Sequence, residues 1–303
     1  MMKNPLKVLI VYSLMCVVSL NISAQIDNMA VNDSVKEILE KGIDETAIFE
    51  RKQFEVTEEQ FRKGLDRLPS FAVYKDIFFT TGIPLNEGIT RNTADALFQI
   101  SIRQRLTKSY LPFNTFAYLT YTQKSFWDVY AESAPFKDNN YNPALGVGKY
   151  IIRNNKLMGG GFIQLEHESN GKDGADSRSW NYLSASVKYF YNPRLNLGIK
   201  MWLPFVDGEE NKDLLDYKGL ATLSGNYITK KSMWWLSAEV TPRKGWGNAN
   251  TIITIAYRVS KSQNQYLFGR FYNGKGDSLL DYDKYEMNFR VGICIKPDFY
   301  SIY

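Results

Sequence analysis

Histidine occurs once in this 303-residue chain and cysteine twice. Cys16 lies within the first 25 residues, so loss of that segment leaves Cys294 alone and no internal disulfide. The formal net charge is only +5, too slight to argue for nucleic acid as a partner. After the amino terminus no apolar run approaches the roughly 18 residues of a spanning helix. No G-x-S-x-G occurs, which removes the strand-to-helix nucleophile elbow of soluble exported esterases.

Aromatic residues are abundant, at 15% of the chain within a hydrophobic fraction of 44%. They favour strands and suit the aromatic girdles of membrane barrels. The start carries Lys3 and Lys7, an apolar run from Val8 to Leu20, then Ile22-Ser23-Ala24. This reads as a secretory signal over residues 1–24, with a retained anchor as the alternative. An exported chain without a spanning helix is either soluble or a closed membrane barrel.

Residues 25–69 are rich in Glu, Lys and Asp and predict a polar, partly helical periplasmic extension. Ser34–Glu37 and Thr57–Gln60 both have the spacing of a capping box, the second ahead of a stop at Pro69. From Phe71 onward the period changes to two. About twelve segments follow, at 71–82, 94–106, 114–127, 143–153, 158–169, 180–191, 195–205, 217–229, 232–242, 249–260, 264–272 and 286–296. The fold expected for residues 70–303 is therefore all-β, a twelve-stranded antiparallel transmembrane β-barrel. In the last segment Met287, Phe289, Val291 and Ile293 share one side and Glu286, Asn288 and Arg290 the other. A soluble sandwich also alternates in this way.

The lone histidine sits where that alternation matters. Ile163, Leu165, His167 and Ser169 share one face, and Gln164, Glu166 and Glu168 the other. In the next segment Asn181 has the parity of Leu183, Ala185 and Val187. Three polar side chains on an apolar face are costly unless they bond one another. Neutral imidazole accepts a serine proton while its second nitrogen donates to an acceptor, so Ser169, His167 and Asn181 form a candidate catalytic triad. Asn carries no charge and would fix tautomer and orientation. The competing reading is an interfacial histidine bonded to a nearby hydroxyl, with Asn181 in a turn.

His167-Glu168-Ser169-Asn170-Gly171 followed by Ser177-Arg178-Ser179-Trp180-Asn181 resembles the active-site signature of the bacterial outer-membrane phospholipase A family. Tyr121–Ser125 with Trp127, Glu132-Ser133, Asn140-Tyr141 with Pro143, and Asp281-Tyr282 are similar too. The resemblance implies calcium-dependent hydrolysis of phospholipid and lysophospholipid acyl esters at the outer leaflet of the outer membrane. It implies a homodimer when active and a dormant monomer, with Ser169 as nucleophile, His167 as base and then acid, and Asn181 as orienter. By position, the Ser177 hydroxyl and Lys172 carbonyl of one subunit and Ser133 of the other would hold Ca2+. Gln123 matches a dimer-interface position, and its parity with Leu119 and Tyr121 puts it on the apolar side.

This sequence departs from the family pattern at several places. Glu168 replaces an amide or Asp and is expected to pair inside the barrel with a base such as Lys188 or Arg103. Lys172 replaces Arg, and Ala134 a second Ser. Asp173 and Asp176 fit a solvated turn beside Gly174, with calcium ligation the alternative. A non-catalytic pore or structural barrel is the competing function. Against the pore, inward Lys188, Arg258, Arg290, Glu239 and Glu286 would crowd the lumen. "GKGDS" at 274–278 reads as a hairpin loop.

Overall fold

The structure, a computed structural model, describes residues 57–154, 156–205, 211–260 and 264–303. The expected signal segment, the extension before residue 57 and the first capping box lie outside the described residues.

Thr57 opens helix α1 (Glu58–Leu65) through a complete capping box: its main-chain N–H donates to Gln60 Oε1 at 2.8 Å, and the Gln60 N–H donates back to its hydroxyl. Then come β1 (Phe71–Val73), β2 (Ile77–Pro84), β3 (Asp95–Arg105), β4 (Phe116–Trp127), β5 (Phe136–Arg153), β6 (Lys156–Ser169), β7 (Ser179–Asn192) and β8 (Leu195–Phe205). Short helix α2 (Leu214–Lys218) precedes β9 (Ala221–Ile228), β10 (Trp234–Pro242), β11 (Ala249–Arg258), β12 (Gln265–Lys275) and β13 (Tyr285–Ile295). Each strand from β2 to β13 pairs antiparallel with the next, and β13 pairs with β2, closing a ring of twelve. Closure leaves no unpaired sheet edge, as lipid requires. Strand β1 pairs with β3 beyond the end of β2.

Three expected spans shift; the eighth, 217–229, loses its start to α2, and its strand begins only at Ala221. The first breaks at residues 74–76, where the Tyr74 and Lys75 N–H groups turn to the Ser101 carbonyl and hydroxyl. The fourth begins seven residues early, at Phe136. Asn139, Asn140 and Asn142 fall before the expected start at Pro143, yet they extend the ladder to β4, with Pro143 opposite Tyr121. Their low strand propensity is overridden because inward Asp138 and Asn140 bond a facing loop: Asp138 accepts from the Ser278 hydroxyl at 2.7 Å and Asn140 from the Leu279 N–H at 3.1 Å.

The two-residue period holds around the ring. Outward Leu165, Leu203, Phe205, Leu267 and Val291 are each more than half exposed, the surface a bilayer would cover. Phe79, Phe98, Trp127 and Phe136 pack edge to face or stacked across the outside of β2–β5. The inner face is polar and paired: Arg290 binds Asp95 through two nitrogens at 2.8 and 2.6 Å, and Glu166 meets Lys200 at 2.5 Å.

Both mouths of the barrel are covered. At one, α1 and the residues after β13 pack together, with Phe61, Phe116, Tyr118, Tyr150 and Ile302 in one buried cluster. Arg105 fastens α1 there by donating to the carbonyls of Leu65, Asp66 and Leu68 at 2.7–3.1 Å. This satisfies carbonyls that the end of a helix leaves without partners. Lys188 ties down the chain beyond β13 through the carbonyls of Ser301 and Tyr303. At the other mouth α2 and residues 276–284 bring Leu214, Leu279 and Tyr282 onto Trp180 and Tyr182. A cavity of about 500 Å³ remains in the lumen.

Candidate active site

Strands β6 and β7 are joined by residues 170–178 at the mouth covered by α2. Their register sets His167 directly opposite Asn181, and Ser169 opposite Ser179. Directly opposed residues point to the same side, so sequence parity becomes contact. His167 Nδ1 lies 2.9 Å from Asn181 Oδ1. An amide oxygen only accepts, so Nδ1 carries the proton and Nε2 is left as the acceptor.

All three candidate residues face outward, as the alternation with exposed Ile163, Leu165 and Leu183 requires. Ser169 shares the His167 face, two residues on, a rise of about 7 Å along a strand. Among the described residues no hydrogen bond joins its hydroxyl to the imidazole. Such bonds commonly tighten only when substrate is present.

The inward side chains hold this strand still. Glu168 receives Lys218 Nζ at 3.0 Å on both oxygens and Trp180 Nε1 at 2.7 Å. The expected partners, Lys188 and Arg103, are not the ones found. Lys188 stands opposite Gly160, eight residues from Glu168, and Arg103 opposite Thr120. Lys218 comes from α2, which sequence parity did not connect to β6. Asn142 on β5 donates to the His167 carbonyl at 2.9 Å. Its inward parity with Asn140 was available in the sequence, masked by the turn-like run around it.

The candidate calcium donors are distributed as follows. Lys172 and Ser177 lie in the 170–178 loop, and exposed Ser133 in the 128–135 loop between β4 and β5. Among the described residues nothing donates to the Lys172 carbonyl or the Ser177 hydroxyl, so both keep their lone pairs free. An all-oxygen set of this kind suits calcium, which takes six to eight oxygens. Asp173 caps a single 3-10 turn by accepting from the Gly174 N–H at 2.8 Å, and both loop aspartates are exposed. The described residues contain no cluster of three or more His, Cys, Asp or Glu side chains.

Gln123 faces outward on β4, where it accepts from the Tyr121 hydroxyl and donates to the Ser125 hydroxyl, each at 3.1 Å. Asp277, in the loop after β12, lies between Arg270 at 2.8 and 3.0 Å and Lys124. Burial alone would raise its pKa, but the charges of Arg270, Lys124 and Arg290 outweigh it and hold the carboxyl well below the usual range.

Phospholipase A1 of Proteus vulgaris is 29% identical over 213 residues, covering 69% of this chain and 72% of that protein. Phospholipase A1 of Escherichia coli strain K12 is 28% identical over 208 residues, 67% of this chain and 70% of that one. Among solved structures, outer membrane phospholipase A from Escherichia coli superposes with a TM-score of 0.67 at 24% identity, covering 76% of this chain and all of that one. The Salmonella typhi outer membrane phospholipase dimer with bound calcium gives a TM-score of 0.66 at 24% identity over 77% of this chain and 93% of that one. At these identities the two structures establish the fold. The phospholipase A1 family model matches residues 81–295, well over half of the sequence, and the chain therefore belongs to the phospholipase A1 family.

Proposed function

We propose that this chain hydrolyses acyl esters of phospholipids and lysophospholipids at the outer leaflet of the outer membrane, through Ser169, His167 and Asn181. The observation that carries this reading is the 2.9 Å contact between His167 Nδ1 and Asn181 Oδ1 on the outward face of a closed barrel. It orients the only imidazole in the chain with its basic nitrogen unprotonated.

In the reaction His167 Nε2 takes the Ser169 hydroxyl proton as the oxygen attacks the ester carbonyl. The protonated imidazole then gives that proton to the leaving glycerol oxygen, releasing a lysophospholipid and leaving an acyl-serine. His167 next deprotonates water, whose attack frees the fatty acid and restores Ser169. Asn181 holds the ring through both halves. It has no charge to offer the imidazolium, and it costs less than Asp beside hydrocarbon.

The Ser177 hydroxyl, the Lys172 carbonyl and Ser133 of a second copy would hold calcium. When bound, the ion supplies a fixed positive charge for the oxyanion that develops at the ester carbonyl. Sharing the ion between copies makes the homodimer the active form and the monomer dormant. Gln123 exchanges its bonds within the strand for bonds across the two-fold contact. A passive pore fits this barrel poorly, since an apolar cluster sits at each mouth and the Arg270–Asp277 and Arg290–Asp95 ion pairs occupy the lumen.

Fatty-acid release from phospholipid and detergent mixed micelles, with and without calcium, tests the reading. Ser169→Ala should abolish release while the protein still migrates as a folded, heat-modifiable barrel. Hydrolysis retained by that variant removes Ser169 from the mechanism.

A further inference from the structure

Asn170 follows Ser169 directly and begins the 170–178 loop. It is buried, at 3% exposure, in a stretch whose neighbours are largely accessible. Its side chain spends its hydrogen bonds within the loop. Nδ2 donates to the Asp176 carbonyl at 2.8 Å. Oδ1 accepts from the Lys172 N–H at 3.3 Å and the Arg178 N–H at 2.9 Å. The Asn170 N–H also donates to the Arg178 carbonyl at 3.0 Å.

These bonds fall beside the two oxygens already singled out. Holding the Lys172 N–H constrains the residue whose carbonyl is free. Holding the Asp176 carbonyl fixes the peptide plane that leads into Ser177. Arg178 braces the same stretch from the other end, donating to the Ala175 and Ser177 carbonyls at 2.7 and 2.8 Å. With its carbonyl engaged, Ser177 has its hydroxyl left to offer. Gly171 permits the turn: its φ is +65°, and a Cβ there would lie 3.0 Å from the Tyr141 ring.

We propose that Asn170 is a positioning residue for calcium, its amide spanning the loop to set the spacing of the Lys172 carbonyl and Ser177 hydroxyl and coupling both to Ser169 beside it. The proposal rests on the calcium reading above. Partners of this kind orient ligands without touching the metal, and losing one typically costs about 10- to 100-fold in metal affinity.

The test is calorimetric titration of calcium chloride into the full chain in detergent with a non-hydrolysable phospholipid analogue, for wild type, Asn170→Ala and Asn170→Gln. Backbone amide exchange at Lys172 and Arg178 and fatty-acid release across a calcium series complete it. Heat-modifiable migration identifies folded protein, and Asn170→Gln keeps a buried amide should the alanine variant not fold. The expected result is calcium affinity weakened about tenfold or more in the folded variant, with faster exchange at both amides. At saturating calcium kcat should return to within a few-fold of wild type, because the His167–Asn181 contact is untouched. A general loss of stability would not yield that recovery. Wild-type affinity in a folded variant overturns the proposal alone. A wild type that binds no calcium overturns the calcium reading and this inference with it.

Discussion

Removing the Asn181 amide separates an orienting third member from one that stabilises charge. In Asn181→Ala the imidazole loses its acceptor at 2.9 Å and nothing else in the triad changes. Both partners are only half-buried and the Asn181 amide carries no charge, so the bond has the net worth of an ordinary hydrogen bond, about 0.5–1.5 kcal/mol. At about 1.4 kcal/mol per factor of ten, kcat/KM should fall roughly three- to tenfold. In serine proteases, replacing the triad carboxylate by an amide costs on the order of 10⁴ in kcat because the ring is left in the wrong tautomer; Asn181→Ala imposes no wrong tautomer and only removes the contact. The assay is initial fatty-acid release from mixed micelles at saturating calcium, beside Ser169→Ala as the baseline. A loss beyond about a thousandfold would refute this magnitude and show that Asn181 does more than contribute one hydrogen bond to the ring. An unchanged rate would refute the contact itself as part of the working enzyme.

Lys218→Ala removes the charge partner of half-buried Glu168 behind the triad, and should destabilise the barrel by about 1–3 kcal/mol, read as a lower thermal midpoint; an unaltered midpoint shows that Glu168 does not depend on α2. Gln123→Ala should lower the dimer fraction in detergent sedimentation with calcium and substrate analogue, and equal dimerisation dismisses Gln123 from the interface. Asp277 lies outside the strands and its pKa is depressed in the folded state, so its stabilisation is complete above its unfolded value of about 3.9 and is lost as pH falls through the folded value. Asp277→Asn should therefore be less stable than wild type at pH 7, with the gap closing below about pH 4 in denaturant titrations; a gap independent of pH contradicts the assignment.

Much of this molecule is local in origin. Alternation in the last segment correctly separates Val291 and Ile293 outside from Asn288 and Arg290 inside, because a pleated strand turns successive side chains to opposite faces whatever its neighbours do. The same rule puts His167, Ser169 and Asn181 on the outer face. The helix at Glu58–Leu65 was legible from its capping box, since both of those bonds close within four residues. The residues from Phe136 to Asn142 were left out of the expected strand because their low strand propensity is outweighed by the ladder and the bonds from Ser278 and Leu279, which arrive from some 140 residues away.

Register is where sequence yields to tertiary structure. Alternation gives the face a residue occupies, but not which residue stands across from it, and a slip of two would keep every face while parting His167 from Asn181. Closure of the ring fixes that register and supplies Lys218, not Lys188 or Arg103, as the partner of Glu168. It also folds residues 170–178 around Asn170, a geometry made of side-chain bonds to main chain that no periodicity encodes. The sequence by itself determined the kind of barrel, the face that carries the chemistry and the three side chains proposed to perform it. Their mutual placement was decided only when the twelve strands closed, because distance between strands is a property of the whole ring.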